Sequence, residues 1–154
     1  MKTCKRLLAL LLALTMLTAL LTACGKKDAD DAALTEEEYQ TAVTELNDKL
    51  TSIQTDASAL DPNDPDAAKQ LLEDMKAPFQ DFINITPPAS YADAHEKMKS
   101  GCQAMIDYLD TVNSMLEETD EGKLQEAANT MMEQLQTAVT DLTEGATMLS
   151  EAQQ

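Results

Sequence analysis

Apolar residues recur along most of the chain at alternating steps of four and three, the spacing that places them on one face of an α-helix. Thr35 and Glu38 stand just before the first series in the order of a capping box, in which each side chain bonds a backbone amide of the first turn. The pattern predicts a first helix over about 35–60. Its buried face would consist of Tyr39, Val43, Leu46, Leu50, Ile53, Ala57 and Leu60.

A second series follows a break at 61–65, where the sequence reads Asp-Pro-Asn-Asp-Pro. Asp64 and Pro65 have the residue types of an N-cap and a first helical position, so they mark the start of a helix over about 65–85. Pro78 lies inside this helix and lacks an amide proton, so we expect the helix to bend or split near Asp74. The apolar series here is Ala68, Leu72, Met75, Phe79 and Phe82.

Two longer helices are predicted over about 89–117 and 121–151, after the Thr-Pro-Pro stretch at 86–88. Ser90 and Asp93 can cap the third helix, and Asp120 can cap the fourth. The third series is Tyr91, His95, Met98, Cys102, Met105, Leu109, Val112 and Leu116, and the fourth is Leu124, Ala128, Met131, Leu135, Ala138, Leu142, Gly145 and Leu149. Short connections make consecutive helices antiparallel neighbours, so residues 34–154 are expected to form an all-α, up-down-up-down antiparallel four-helix bundle.

Three segments resemble the periplasmic b-type cytochrome family of four-helix bundles: Glu45–Leu50, Thr86–Pro88 and Glu121–Ala127. The resemblance implies the same helix order and topology. That family holds haem between a methionine early in the first helix and a histidine late in the fourth, and the corresponding positions here are Val43 and Leu142. Neither side chain can ligate iron, so the resemblance supports the fold without the haem, and no cofactor is expected.

The first residues have the layout of a secretory signal peptide: a basic start at Lys2, Lys5 and Arg6, then fifteen uncharged residues from Leu7 to Leu21. A permanent membrane span needs about twenty apolar residues, so this run is short for one. We therefore expect residues 1–23 to be a signal peptide that is removed.

The end of this segment, Leu21-Thr22-Ala23-Cys24, resembles the bacterial lipobox. The resemblance implies that Cys24 receives a diacylglycerol on its sulfur and becomes the new N-terminus. Two acyl chains are enough for stable attachment to a membrane. The expected product is a lipid-anchored protein on the extracytoplasmic face of a bacterial cell membrane, with residues 24–33 as its lipidated cysteine and flexible tether.

The charge of the chain narrows its possible partners. It carries 28 acidic residues against 11 Lys and Arg residues, a formal net charge of −17. Lys2, Lys5 and Arg6 lie in the expected signal peptide, so the mature chain is more acidic still. Nucleic-acid binding needs Lys and Arg to displace counterions, and this composition argues against it. The expected partners are cations or a basic protein or peptide.

One stripe of the third helix raises a metal-binding alternative. His95, Met98, Cys102 and Met105 combine imidazole, thioether and thiol groups, which suit copper(I). Four such positions span about 15 Å of helix rise, so at most an adjacent pair can share one ion. The same stripe also fits a core seam in which methionines fill gaps. Both interpretations stay open on the sequence: a core seam, with no metal expected, or a metal or cofactor site around His95.

Groups for catalysis are sparse. His95 is the single histidine, which excludes the paired Glu-x-x-His motifs of di-iron bundles and the His-Glu-x-x-His motif of zinc proteases. Cys102 lies two turns from His95, about 10 Å along a helix and too far for a nucleophile and its base. The segment 61–66 lacks the glycine of a calcium loop and has Leu72 in place of its glutamate. The sequence therefore predicts a non-enzymatic binding module.

Overall fold

The computed structural model describes residues 33–58, 65–116 and 118–153. Within these ranges the chain forms α1 (Glu36–Ser58), α2 (Pro65–Ile83), a short 3₁₀ turn (Ala89–Tyr91), α3 (Ala92–Met115) and α4 (Glu121–Ala152), with no strand. The predicted all-α four-helix bundle is confirmed. The predicted signal peptide, Cys24, most of the tether and the 61–64 part of the proline-rich break lie outside the described residues.

The predicted caps of α1 and α4 are present, while Asp64, the predicted cap of α2, lies outside the described residues. The amide of Glu38 donates to the Thr35 hydroxyl at 3.3 Å, and the Thr35 amide donates to the Glu38 carboxylate at 2.9 Å, which completes the capping box. Asp120 accepts from the Lys123 amide and caps α4. The predicted cap at α3 is wrong, because no side chain caps its start and the Ser90 hydroxyl donates to Glu36 at 2.7 Å.

Pro78 does not split α2, which runs from Pro65 to Ile83 as one helix. Proline removes one backbone hydrogen bond, and here the flanking residues are fixed by burial. Met75 and Phe79, on either side of the proline, belong to the core. Packing of this apolar face therefore keeps the helix continuous where local propensity would interrupt it.

Each helix packs against the next one in the chain, and the α3–α4 pair is the most extensive. The helices α2 and α3 run antiparallel, since Lys76 contacts Asp110 and the later residue Phe82 contacts the earlier residue His95. Ser100 of α3 contacts Asp141 of α4. Among the described residues, α1 and α4 have little contact with each other. The most deeply buried large side chains of the core are Tyr39, Tyr91, Phe79, Met105, Leu109 and Leu149.

Two glycines allow the close approach of α3 and α4. A Cβ added at Gly101 would lie 2.7 Å from Leu142 Cγ and 2.9 Å from its backbone nitrogen. A Cβ at Gly145 would lie 2.5 Å from Met98 Cγ and 3.0 Å from the Ala94 carbonyl oxygen. In both cases the obstacle includes backbone of the facing helix, which a side-chain rotation cannot move. Any larger residue at either position has to push the helices apart.

We expect Gly145→Ala to destabilise the bundle by about 1–2 kcal/mol, because the overpacking penalty exceeds the gain of up to about 1 kcal/mol in helix propensity. Thermal unfolding of residues 33–154, followed by circular dichroism, would show a melting temperature lower by several degrees. Gly122→Ala is the matched control, since an added Cβ there meets only the end of the exposed Asp120 side chain. Equal melting temperatures for both variants would contradict the close approach.

Candidate functional site

The four residues of the metal-binding alternative all lie in the core. His95 and Met105 are each 2 % exposed, and Met98 and Cys102 are similarly enclosed. They follow one face of α3, as the spacing predicted, and this face is directed toward the other helices. An ion reaching this stripe would have to pass through the packed interior.

Tyr39 of α1 is the residue that meets His95 and Met98. Its hydroxyl oxygen lies 3.1 Å from His95 Nδ1 and 3.8 Å from Met98 Sδ. Two arrangements of protons fit these distances: the hydroxyl donates to the imidazole, or Nδ1–H donates to the hydroxyl, which then donates to the sulfur. In the second arrangement Tyr39 bridges the two groups through hydrogen bonds, and in both arrangements its hydroxyl contacts the imidazole and the sulfur.

Aromatic rings enclose this contact. Phe82 and His95 have ring centroids 5.3 Å apart, and Tyr39 lies 5.5 Å from Tyr91 and 5.6 Å from His95. Gln40 donates to the Tyr91 hydroxyl at 3.3 Å, so the outer edge of the cluster is also hydrogen-bonded. We call Tyr39, Phe82, Tyr91, His95 and Met98 the aromatic joint, since it connects α1, α2 and α3 near the start of α1.

Burial controls the chemistry of these groups. Desolvation lowers the pKa of His95 below 6.5, while Glu96 opposes the shift and Lys99 adds to it. Burial also raises the pKa of the Cys102 thiol to about 12, so it is neutral at ordinary pH and a poor nucleophile or soft ligand. Desolvation likewise raises the pKa of Tyr39. A neutral imidazole, a neutral phenol and a neutral thiol are what an apolar core tolerates best.

The described residues contain no group of three or more His, Cys, Asp and Glu side chains placed to hold a metal ion. Met98 and Met105 add only weak thioether ligands, and Met98 already contacts the Tyr39 hydroxyl. The geometry therefore favours the core role of His95, Met98, Cys102 and Met105 over the copper alternative.

The surface has a different chemistry, because most described lysines are engaged by carboxylates. Lys49 pairs with Asp81 at 2.9 Å, and Lys123 pairs with Glu118 at 3.1 Å. Lys97 of α3 bridges to Asp141 and Glu144 of α4. Exposed pairs of this kind add little stability, but they neutralise the cations locally and leave the remaining carboxylates in excess.

Lys76 is a buried lysine that the apolar pattern did not reveal. The residue is 8 % exposed, and its ammonium lies 2.7 Å from both Glu73 and Asp110. Hydrogen bonds to Asp110 and then Glu73 raise the pKa of Lys76. Its aliphatic stem packs along the core while the charged end reaches the surface carboxylates, so it ties α2 to α3. In the sequence, the signal for its burial was its position directly after Met75 of the apolar series.

Acidic residues form an edge along α4. Glu126, Glu133, Glu144 and Glu151 are all exposed, and their spacings of seven and eleven residues place them along one side of the helix. We call these four residues the acidic edge. At its N-terminal end it borders an open groove of about 320 Å³ between the end of α3 and the start of α4. Thr111, Ser114 and Met115 line one wall, and Lys123, Glu126 and Thr130 line the other.

Comparison with known families assigns the folded part. Residues 33–151 match the model of DUF6376, a family of unknown function. The chain belongs to the DUF6376 family. The match covers all four helices, with the aromatic joint and the acidic edge, and begins where the described structure begins. Comparisons with curated proteins and with solved structures found no match for this DUF6376 chain.

The aromatic joint makes the stability of this DUF6376 bundle depend on pH. The folded pKa of His95 lies below the unfolded value of 6.5, so the unfolded chain binds more protons between the two values. The contribution of His95 to folding stability is fully present above about pH 6.5 and decreases as the pH falls toward the pKa of His95 in the folded chain. Titration of the carboxylates adds its own dependence, so the contribution of His95 is measured as a difference.

We expect His95→Gln, which stays neutral and can still accept from Tyr39, to reduce the loss of stability between neutral pH and about pH 5. Urea unfolding at a series of pH values would give the free energy of unfolding of both proteins. Parallel curves would show that His95 titrates alike in the folded and unfolded chains. Gln136→Asn, at an exposed position of α4 away from the joint, should retain the wild-type slope.

Proposed function

We propose that this protein is a non-enzymatic lipoprotein, anchored through Cys24 to the extracytoplasmic face of a bacterial membrane, that binds a basic protein or peptide on its acidic surface. The observation that carries the binding role is the imbalance of surface charge: most described lysines are paired with carboxylates, while Glu126, Glu133 and Glu151 of the acidic edge are exposed and take part in none of these pairs. Multivalent cations are the simpler ligands of the same chemistry.

The anchoring part of the proposal is supported by sequence. A basic start, a short apolar run and Leu21-Thr22-Ala23-Cys24 occur in the order of a lipoprotein signal. No helix in the described ranges is long and apolar enough to cross a membrane.

The non-enzymatic part is supported by the state of the reactive groups. His95, the only histidine, is enclosed in the aromatic joint, and its Nδ1 is engaged by Tyr39. Cys102 is 0 % exposed, so its thiol cannot meet a substrate without opening the core. Neither of these two described residues is therefore placed to serve as an accessible base or nucleophile, the groups that covalent catalysis needs.

The proposal includes no haem. The resemblance to the b-type cytochromes would place the iron ligands at Val43 and Leu142, and both are buried aliphatic side chains, 2 % and 9 % exposed. Aliphatic groups at these positions fill the space between helices and offer no lone pair to iron. What the resemblance contributes to the proposal is the bundle topology.

The groove beside the acidic edge suits a short cationic side chain. Glu126 stands on its wall, and Thr111 and Thr130 add hydroxyl groups that can accept from an ammonium. Glu118, at the same end, is held by Lys123 and by the amides of Thr119 and Asp120, which lower its pKa and keep it ionised. A peptide with several lysines could place one in the groove and others along the edge.

We expect the full chain, expressed in a bacterium fed an alkyne-bearing fatty acid, to incorporate the label and to sediment with membranes. Cys24→Ser should lose the label, because the acyl groups are attached through that sulfur. Cys4→Ser is the matched control and should be labelled normally, since Cys4 would leave with the signal peptide. Equal labelling of the wild type and Cys24→Ser would contradict the anchor.

We expect decalysine to bind residues 33–154 with an affinity that falls steeply with salt, because exposed charges are screened over about 10 Å at 0.1 M ionic strength. Fluorescence anisotropy of a labelled peptide would measure it. Neutralising the acidic edge by Glu126→Gln, Glu133→Gln and Glu151→Gln together should weaken binding several-fold.

A variant with Glu37→Gln, Glu45→Gln and Asp48→Asn is the control for that measurement. It removes the same charge from exposed positions of α1. An equal loss of affinity in both variants would mean that net charge, and not the acidic edge, attracts the peptide. Binding that is indifferent to salt would contradict the electrostatic basis altogether.

A further inference from the structure

The helix α4 carries a second series of residues at alternating steps of four and three, displaced by one residue from the series that enters the core. Its members are Gln125, Asn129, Met132, Gln136, Val139 and Thr143, and all are exposed. We call these six residues the outer seam. Steps of four and three are the spacing at which one helix packs against another in a coiled coil.

The outer seam is free of charge, although the chain has 28 acidic residues. The glutamates of α4 instead collect on the acidic edge, about 100° around the helix from the seam at 3.6 residues per turn. Asp141 lies on a third side of α4, where it accepts hydrogen bonds from Lys97 and Ser100 of α3. A continuous strip of α4 therefore carries no charged side chain.

The seam also carries the most exposed large apolar residues of the described chain. Met132 is 74 % exposed and Val139 is 41 % exposed. They stand seven residues apart, so they lie one above the other along the strip. The helix that would flank this side in a closed bundle is α1, and among the described residues α1 and α4 have little contact.

We infer that the outer seam is the surface through which two copies of this chain pair, with their α4 helices antiparallel about a two-fold axis near Gln136. An antiparallel, two-fold arrangement brings Met132 of one copy onto Val139 of the other and Asn129 onto Thr143, because the two numbers in each pair have nearly the same sum. The contact is self-complementary, as a two-fold interface requires.

Charge argues for a second copy as the occupant. Two strongly acidic molecules repel each other on most approaches, and the outer seam is the strip of α4 on which neither presents a carboxylate. A basic partner gains nothing there, since its attraction is to the acidic edge. Gln and Asn side chains within the seam can hydrogen-bond across the axis and so fix the register.

The size of the strip sets the strength of pairing. From Gln125 to Thr143 it is about 27 Å long, and one helix pair of that length buries well under the roughly 800 Å² per partner of a standard stable interface. The pairing is therefore dependent on concentration, and covalent trapping is the suitable measurement. It depends on neither the lipid anchor nor a basic ligand.

The test uses the full chain in intact cells and a short bis-maleimide that joins nearby thiols. Gln136→Cys lies at the axis and should give several-fold more cross-linked dimer than the unsubstituted chain, which sets the background of its native cysteines. Glu133→Cys, equally exposed but on the acidic edge, should give only that background. Equal dimer from Gln136→Cys and Glu133→Cys, or none from either, overturns the inference.

Two further variants test the direction and keep the result interpretable. Met132→Cys and Val139→Cys chains with different tags should cross-link to each other more than to themselves, whereas a parallel pair would give the reverse. Adding Met132→Glu and Val139→Glu to Gln136→Cys should return the dimer to background with unchanged circular dichroism. Persistent dimer in that variant would show that another surface joins the copies.

Discussion

The contact between α3 and α4 is the one on which the other helices depend. Gly101 and Gly145 bring the two backbones together at two levels, while α3 also packs against α2 and meets Tyr39 of α1 through His95 and Met98. Close approach also sets the polar rim, where Ser100 and Lys97 reach Asp141. A small residue in a helix costs backbone entropy, so its benefit has to come from the neighbour that it admits. Here the benefit is the close packing of α3 against α4.

Helix order and the buried faces could be predicted from the sequence, because each apolar series depends only on spacing within one helix. His95 and Met98 were placed in the core on that basis, and they lie there. The contact of Tyr39 with His95 joins residues 56 positions apart, and no local pattern encodes such a pair. For the same reason the role of Gly101 could not be predicted, because it depends on the close approach of Leu142 of α4. Pro78 was expected to bend or split α2, and the split does not occur, because burial on both sides of the proline outweighs one missing hydrogen bond.

The metal alternative and the core interpretation share the same residues, so composition could not separate them. What separates them physically is the partner of each lone pair. A phenol that contacts both the imidazole and the thioether carries no charge, whereas a cation at that point would need compensating anions in an apolar interior. Among the described residues, the buried polar and charged side chains are His95 and Lys76, and the ammonium of Lys76 is paired with two carboxylates that lie at the surface.

One backbone hydrogen bond fixes the point at which the chain enters the bundle. The amide of Leu34 donates to the Thr86 carbonyl oxygen at 2.9 Å, which fastens the entry of the chain to the turn between α2 and α3. The aromatic joint lies at this same end, while the groove beside Glu126 lies toward the opposite end of α3, about 24 Å from His95 to Thr111 at 1.5 Å per residue. In the proposed lipoprotein, the tether therefore enters the bundle at its histidine end, and the groove is remote from the point of attachment.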